Sequence, residues 1–286
     1  MSRGRRDGPA EGWDRAAAGD DGPLVPPDLT ASLVLVRHGE STWIVEGRFQ
    51  GRRDPRLSPR GERQAALVAE RLRDPASGPP LPIPARPPAA IWHSPLARAR
   101  QTAEAIAGRQ PLATPLQPER GLIEIAQGDW EGLTHAEVVE ASREILDGWR
   151  ARPTEVNAPG GERLLDAAAR VRDALQRILA ELAAEAAAPA GLAASPVPGY
   201  GRGTAAHPWG ILVAHDGIFR LALLGLLGIP YERFWSFPFV LCGISVVDLA
   251  AGRASLAAHN LADHLAPLAT DVLAAAEARG DRRGAL

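Results

Sequence analysis

Residues 33–40 read Leu33-Val-Leu-Val-Arg-His-Gly-Glu40, four apolar residues running straight into an arginine, a histidine and a glycine. An uninterrupted apolar run of this length suits a strand buried on both faces of a parallel sheet. In an open α/β sheet, ligands bind just past the carboxyl ends of the strands. Arg37 and His38 therefore stand where chemistry is expected. A guanidinium can clamp an oxyanion through paired hydrogen bonds, and an imidazole beside it can attack phosphorus.

Outward from this segment, strands and helices alternate. A helix is expected near 59–73, with Ser58 as N-cap and Pro59 as its first residue. A strand near 89–93 precedes a helix near 95–108 that opens on Ser94-Pro95, and helical segments follow near 134–150 and 162–187. A strand near 209–214 leads into a helix near 217–227. Two strands near 242–249 and 252–258 join through Ala250-Ala-Gly-Arg253, a hairpin signal. The alternation predicts a three-layer α/β/α sandwich around a mostly parallel sheet, with the hairpin adding antiparallel edge pairing. Residues 1–30, polar and rich in Gly, Asp and Pro, read as a disordered tail. The domain is expected over 31–270, followed by a tail at 271–286. Proline-rich stretches near 74–88 and 188–208 read as surface insertions within that domain.

Composition narrows the function classes. The chain has 286 residues, with 32 basic against 34 acidic and a net charge of −2. That balance gives no global pull toward nucleic acid. All the basic residues are arginine, which excludes a lysine Schiff base or a P-loop lysine. The single cysteine, Cys242, permits no intrachain disulfide and reads as an inert residue of a strand. No signal peptide is visible, and the most apolar segment, Ile218–Ile229, is too short to span a bilayer. A cytoplasmic protein is expected, with a small phosphorylated substrate, no membrane or nucleic-acid partner, and a homodimer left open.

Three further residues bear chemistry. Arg98, in His93-Ser-Pro-Leu-Ala-Arg98, would bring a second guanidinium from another strand end, although a surface arginine is the plainer reading. His215, in Val213-Ala-His215, repeats the placement of His38 just before a helix. Glu124 lies between Ile123 and Ile125, company that raises a carboxyl pKa and suits a proton donor. Glu131, in the compact Gly128-Asp-Trp-Glu-Gly132, is the competing acid, with a structural role favoured.

The blocks Arg37-His-Gly-Glu40, Gly47-Arg-Phe-Gln-Gly-Arg-Arg-Asp54, Ser94-Pro-Leu-Ala-Arg-Ala99, Glu124 through Gly132, Pro159-Gly-Gly-Glu162 and Val213-Ala-His-Asp-Gly217 occur in the order seen in the histidine phosphatase (phosphoglycerate mutase-like) superfamily. The resemblance runs from about residue 32 to about 265, where Asn260-Leu-Ala-Asp-His-Leu265 is similar to the family's closing segment. It implies that His38 becomes a phosphohistidine and that Arg37, Arg98 and His215 hold phosphoryl oxygens. It also implies that Glu124 moves the proton and Gln50 reaches the phosphate, with no metal and no organic cofactor.

The chain departs from the family pattern at Ile44, where most members carry Asn, and at Asp216, usually Gly or Asn. Asp216 is expected to cap a helix beginning at 217, with a possible influence on His215 that would raise its pKa. Arg52 and Arg53 either extend the anion site or stay solvated, and Trp43, Trp130 and Trp149 either wall the site or fill the core. A phosphatase-type member is favoured, because only Arg109–Ile123 separates the Ser-Pro-Leu block from Glu124, where mutases carry a longer insert. A mutase and a non-catalytic binder of phosphorylated ligands are the alternatives.

Overall fold

A computed structural model of the chain describes residues 23–187 and 207–268. Its centre is one six-stranded sheet in the order β3-β2-β4-β1-β5-β6. The strands are β1 (Ala31–Arg37), β2 (Ile91–His93), β3 (Leu116–Pro118), β4 (Trp209–Ala214), β5 (Ile244–Ala250) and β6 (Arg253–Leu261). The first four run parallel, while β5 pairs antiparallel with β1 and β6 antiparallel with β5.

The apolar run 33–36 is continuous because both faces of β1 are covered. Leu33 and Leu35 point into a core beneath α5 (Leu164–Ala187) and α6 (Asp216–Leu227). Val34 and Val36, on the opposite face by the two-residue period of a strand, join a second core beneath α2 (Pro59–Arg73) and α3 (Ala97–Ala107). The expected α/β/α sandwich is therefore present. A one-turn helix, α1 (Thr42–Val45), and the α4 helix (His135–Ala151) lie in the connections. The β5–β6 turn places Ala251 and Gly252 at φ of 50° and 72°, the doubly left-handed pair that a two-residue hairpin requires.

Four local expectations need correction. The amino-terminal segment is not all tail: Leu24, Val25 and Leu29 are buried in the first core, because a turn closed by the Leu29 N–H on the Pro26 carbonyl folds the segment against the hairpin and α6. Helix α3 begins at Ala97 rather than at Pro95. The Ser94 hydroxyl is engaged by His215 instead, and the α3 amino terminus is capped from a distant loop, where Asp54 Oδ1 accepts from the Ala97 N–H at 2.5 Å. Cys242 stands ahead of β5, at a φ of 54°, rather than within a strand; burial pushes its thiol pKa up, so it stays protonated. Helix α6 starts one residue early, at Asp216, with His215 as its N-cap. The proline-rich 74–88 segment carries neither helix nor strand, as its composition requires. The segments 1–22, 188–206 and 269–286 lie outside the described residues.

Candidate active site

Strand register builds the site. Arg37 of β1 is level with Ala214 of β4, so the next residues, His38 and His215, leave the sheet side by side. The His38 N–H donates to the Ala214 carbonyl at 2.9 Å, and the two rings meet edge to face with centroids 5.0 Å apart. Strand β2, on the other side of β4, ends level with Val213 and delivers Ser94 to the same place. Its hydroxyl lies 2.8 Å from His215 Nε2. Three neighbouring strands thus end in the residues that surround one point.

Each side chain there is fixed. His38 is buried, and its Nδ1 lies 2.7 Å from the Gly39 carbonyl. A carbonyl only accepts, so Nδ1 carries the proton and Nε2 keeps the lone pair. Gly39 permits the tight approach of this turn to α2: a Cβ there would meet the Gly61 carbonyl oxygen at 2.6 Å. Arg98 is fully buried, and its Nη1 and Nη2 donate to the carbonyls of Arg53 and Gly51 at 2.8 and 2.9 Å. Arg37 Nη1 donates to the Phe239 carbonyl at 2.5 Å. Among the described residues, the buried Nε atoms of Arg37 and Arg98 and Nδ1 of His215 have no hydrogen-bond partner. Unpaired buried polar atoms are costly and call for an explanation. Arg37 and Arg98 line one cavity, where an oxyanion would meet both guanidiniums.

The electrostatics follow from this crowding. Burial, Arg98 and Arg37 push His38 well below the ordinary histidine value, so it is a neutral imidazole. His215 is also pushed well down, by burial, Arg98 and His38. The expected lift from Asp216 is absent, because that carboxylate is turned elsewhere. Asp216 accepts from the Phe239 N–H at 3.0 Å and from Arg220 Nε at 2.9 Å, and lies 4.0 Å from Arg37. It braces the segment whose carbonyl holds Arg37 and is not the N-cap. Arg98 comes down to about 10 by burial and still remains a cation at neutral pH.

Glu124 lines the same cavity of about 340 Å³ as Arg37, His38, Gln50 and Arg98. Its carboxyl pKa is raised by the protein packed around it, against the lowering effect of the Ile125 N–H and Arg98. Oε1 accepts that N–H at 2.9 Å. The acid reaches this place because residue 217 is glycine: a Cβ on Gly217 would stand 2.7 Å from Glu124 Oε1. Glu131 serves differently, its Oε1 accepting the backbone N–H groups of Arg52 and Gln127, as a turn-forming group does. Gln50 accepts from the Ser41 hydroxyl at 2.7 Å, which turns its amide nitrogen into the group left for an anion. Ile44 is not among the lining residues.

The structure also decides the open readings. Arg52 pairs with Glu162 at 2.8 Å, whereas Arg53 stays largely solvated at 3.5 Å from Glu131, and neither lines the cavity. Trp130 fills the core, Trp43 packs beside Gly132, and Trp149 lines the cavity with Phe234 and Trp235. Two contributions escaped sequence reasoning. Phe234 and Trp235 arrive from the irregular 3₁₀ turn Tyr231–Ser236, which no periodicity marks. Arg170, on α5, donates to the carbonyls of Gly121, Ile123 and Glu124 at 2.8, 2.7 and 3.3 Å and forms a two-pronged pair with Glu162. Its position on a helix surface carries no signal. Glu162 was visible only as the last residue of the Pro159-Gly-Gly-Glu162 block.

Comparison with known proteins agrees with this geometry. The model of the histidine phosphatase superfamily (branch 1) matches residues 33–188 and 202–262. Phosphoserine phosphatase 1 of Hydrogenobacter thermophilus is 31% identical over 233 residues, covering 82% of this chain and 93% of that protein. Glucosyl-3-phosphoglycerate phosphatase of Mycobacterium tuberculosis is 33% identical over 203 residues, covering 71% and 78%. Among solved structures, Bacillus stearothermophilus YhfR superposes with a TM-score of 0.65 at 25% identity, over 82% of this chain and 99% of its own. The mycobacterial glucosyl-3-phosphoglycerate phosphatase Rv2419c in complex with VO3 superposes with a TM-score of 0.61 at 27% identity, over 81% and 99%. With the family model matching residues 33–188 and 202–262, and the Arg37, Ser94 and Val213 blocks at the ends of β1, β2 and β4, the chain belongs to the histidine phosphatase superfamily, branch 1.

Proposed function

We propose that this phosphomonoesterase works by double displacement through His38. The observation that carries the reading is the state of that histidine: neutral, with Nδ1 committed to the Gly39 carbonyl and Nε2 left beside two guanidiniums. The phosphoryl oxygens of a small phosphorylated metabolite lie against Arg37, Arg98, His215 and the Gln50 amide. Nε2 attacks phosphorus, the bond to the ester oxygen breaks, and protonated Glu124 gives its proton to the departing alkoxide. Glu124, now a carboxylate, takes a proton from water as the oxygen attacks the phosphohistidine. The N–P bond breaks, inorganic phosphate leaves, and both groups return to their starting states. Two arginines already offset the charge on phosphorus, so no metal enters the scheme. The phosphatase form is supported by the brevity of the 109–123 connection, whose regular structure is the three-residue β3 and one 3₁₀ turn, Arg120–Leu122. A cytoplasmic setting belongs to the same reading and rests on the sequence.

The test is rapid quenching with a ³²P-labelled phosphomonoester, in the presence and absence of EDTA. Acid-labile, base-stable label on the protein is expected in both, and His38→Ala should lose the label and turnover on the order of 10⁴-fold or more. Substantial turnover in that variant would sink the scheme.

A further inference from the structure

The reading above leaves the alcohol part of the substrate unnamed, and the cavity constrains it. Beyond the phosphate floor, one wall is aromatic: Trp149, Phe234 and Trp235 pack edge to face or tilted, with ring centroids 4.8–5.8 Å apart. Trp149 and Phe234 are buried, whereas Trp235 leaves 42% of its surface exposed. An exposed indole beside a cavity offers a flat apolar face without needing to be rebuilt.

The charges decide what that face takes. Arg37 and Arg98 are the guanidiniums lining the cavity, and both belong to the phosphate. Among the described residues, Arg52, Arg53 and Arg220 lie against Glu162, Glu131 and Asp216 and do not line the cavity, so a second anionic group on the substrate would meet no further guanidinium in its lining. The same cavity already carries the Asp216 carboxylate. A cationic substrate is disfavoured from the other direction. The Arg220 guanidinium lies 5.2 Å from the Trp235 ring centroid and 5.7 Å from that of Phe234, so the rings already hold a cation. A ring so polarised has less attraction left for an ammonium on its other face.

We infer that the substrate is the phosphate monoester of an uncharged aromatic alcohol, whose ring stacks on the Trp149–Phe234–Trp235 wall. This rests on the phosphomonoesterase reading and narrows it. Stacking of this kind is worth about tenfold in binding at most.

The experiment compares kcat/KM for 2-phenylethyl phosphate, ethyl phosphate, 3-phosphoglycerate and phosphoserine, which all release primary alkoxides and so equalise the demand on Glu124. The 2-phenylethyl ester should exceed each of the others by about tenfold. Trp235→Ala should bring the 2-phenylethyl to ethyl ratio to within about twofold, and Trp235→Phe should restore most of it. A preference for 3-phosphoglycerate or phosphoserine overturns the inference while leaving the phosphatase intact, as does a ratio unmoved by Trp235→Ala. Failure to hydrolyse any of the four esters, with no label on His38, defeats the phosphatase reading and the inference with it.

Discussion

On the floor of the cavity Arg98 has no exposed surface and is gripped by two backbone carbonyls, whereas on its wall Trp235 is 42% exposed and comes from a 3₁₀ turn. The floor is assembled at the ends of parallel strands, where sheet register sets Arg37, His38 and His215 side by side and the first turn of α3 brings in Arg98. The wall is assembled from α4 and an irregular turn, with contacts that are mainly ring on ring. A rigid floor suits the part of a substrate that never varies, the phosphoryl group. A looser wall suits the part that differs from one phosphate ester to another. Substitutions in the floor should therefore depress turnover of every ester, and substitutions in the wall should reorder the esters among themselves.

Glu124 stands where floor meets wall, and so tests the distinction most severely. Burial raises its carboxyl pKa, toward the protonated form that the proposed scheme places at the leaving oxygen. Glu124→Gln should cost about 10²–10⁴-fold in kcat for an alkyl phosphate, and far less for p-nitrophenyl phosphate, whose phenolate leaves without help. Equal losses on the two esters would place Glu124 with the general floor and deprive it of the proton-transfer role. A larger loss from Glu131→Gln would move that role to the other acid, against the two backbone hydrogen bonds that occupy Glu131.

Arg170 tests whether the seam is held from behind. Three carbonyls of the 121–124 segment converge on its guanidinium, and Glu162 orients it. It is a positioning residue. A displacement of the acid by about 1 Å would slow the chemistry by up to about 10²-fold. Arg170→Met should show a loss of that order in kcat with little change in KM, larger for alkyl phosphates than for p-nitrophenyl phosphate. A loss identical on both, tracking the fraction of folded protein by circular dichroism, would reduce Arg170 to a structural support.

The same division explains what could be read without coordinates. Leu33 to His38 announced a buried strand with a reactive end, and the repeat of that pattern at Val213-Ala-His215 located the second histidine; strand register then had no freedom to separate them. Phe234 and Trp235 were silent because their role depends on where a turn falls in space. Arg170 was silent because, besides Glu162, its partners are backbone carbonyls, which every residue possesses. Leu24, Val25 and Leu29 were hidden by the prolines among them, which suggest a loop even where the side chains are buried. The starts of α3 and α6 differ for a related reason: Ser94 and Asp216 have the chemistry of caps, and His215 and the Phe239 N–H took them instead, whereas Ser58 caps α2 as expected.

Asp216 offers the smallest effect and the finest test. Asn keeps an oxygen for the Phe239 N–H and loses the charge that pairs with Arg220, so the brace behind Arg37 survives in neutral form. The pair is partly exposed on the Asp216 side, which limits its contribution. Asp216→Asn should lower stability by roughly 0.5–1 kcal/mol in urea denaturation. Removing a negative charge 4.0 Å from Arg37 should also tighten binding of vanadate or phosphate slightly. Turnover is expected to stay within about threefold of the parent, because the carboxylate neither meets the ester oxygen in the scheme nor lifts His215. A fall of more than about tenfold, with folding intact, would bring Asp216 into direct contact with the reacting group and extend the floor by one acidic residue.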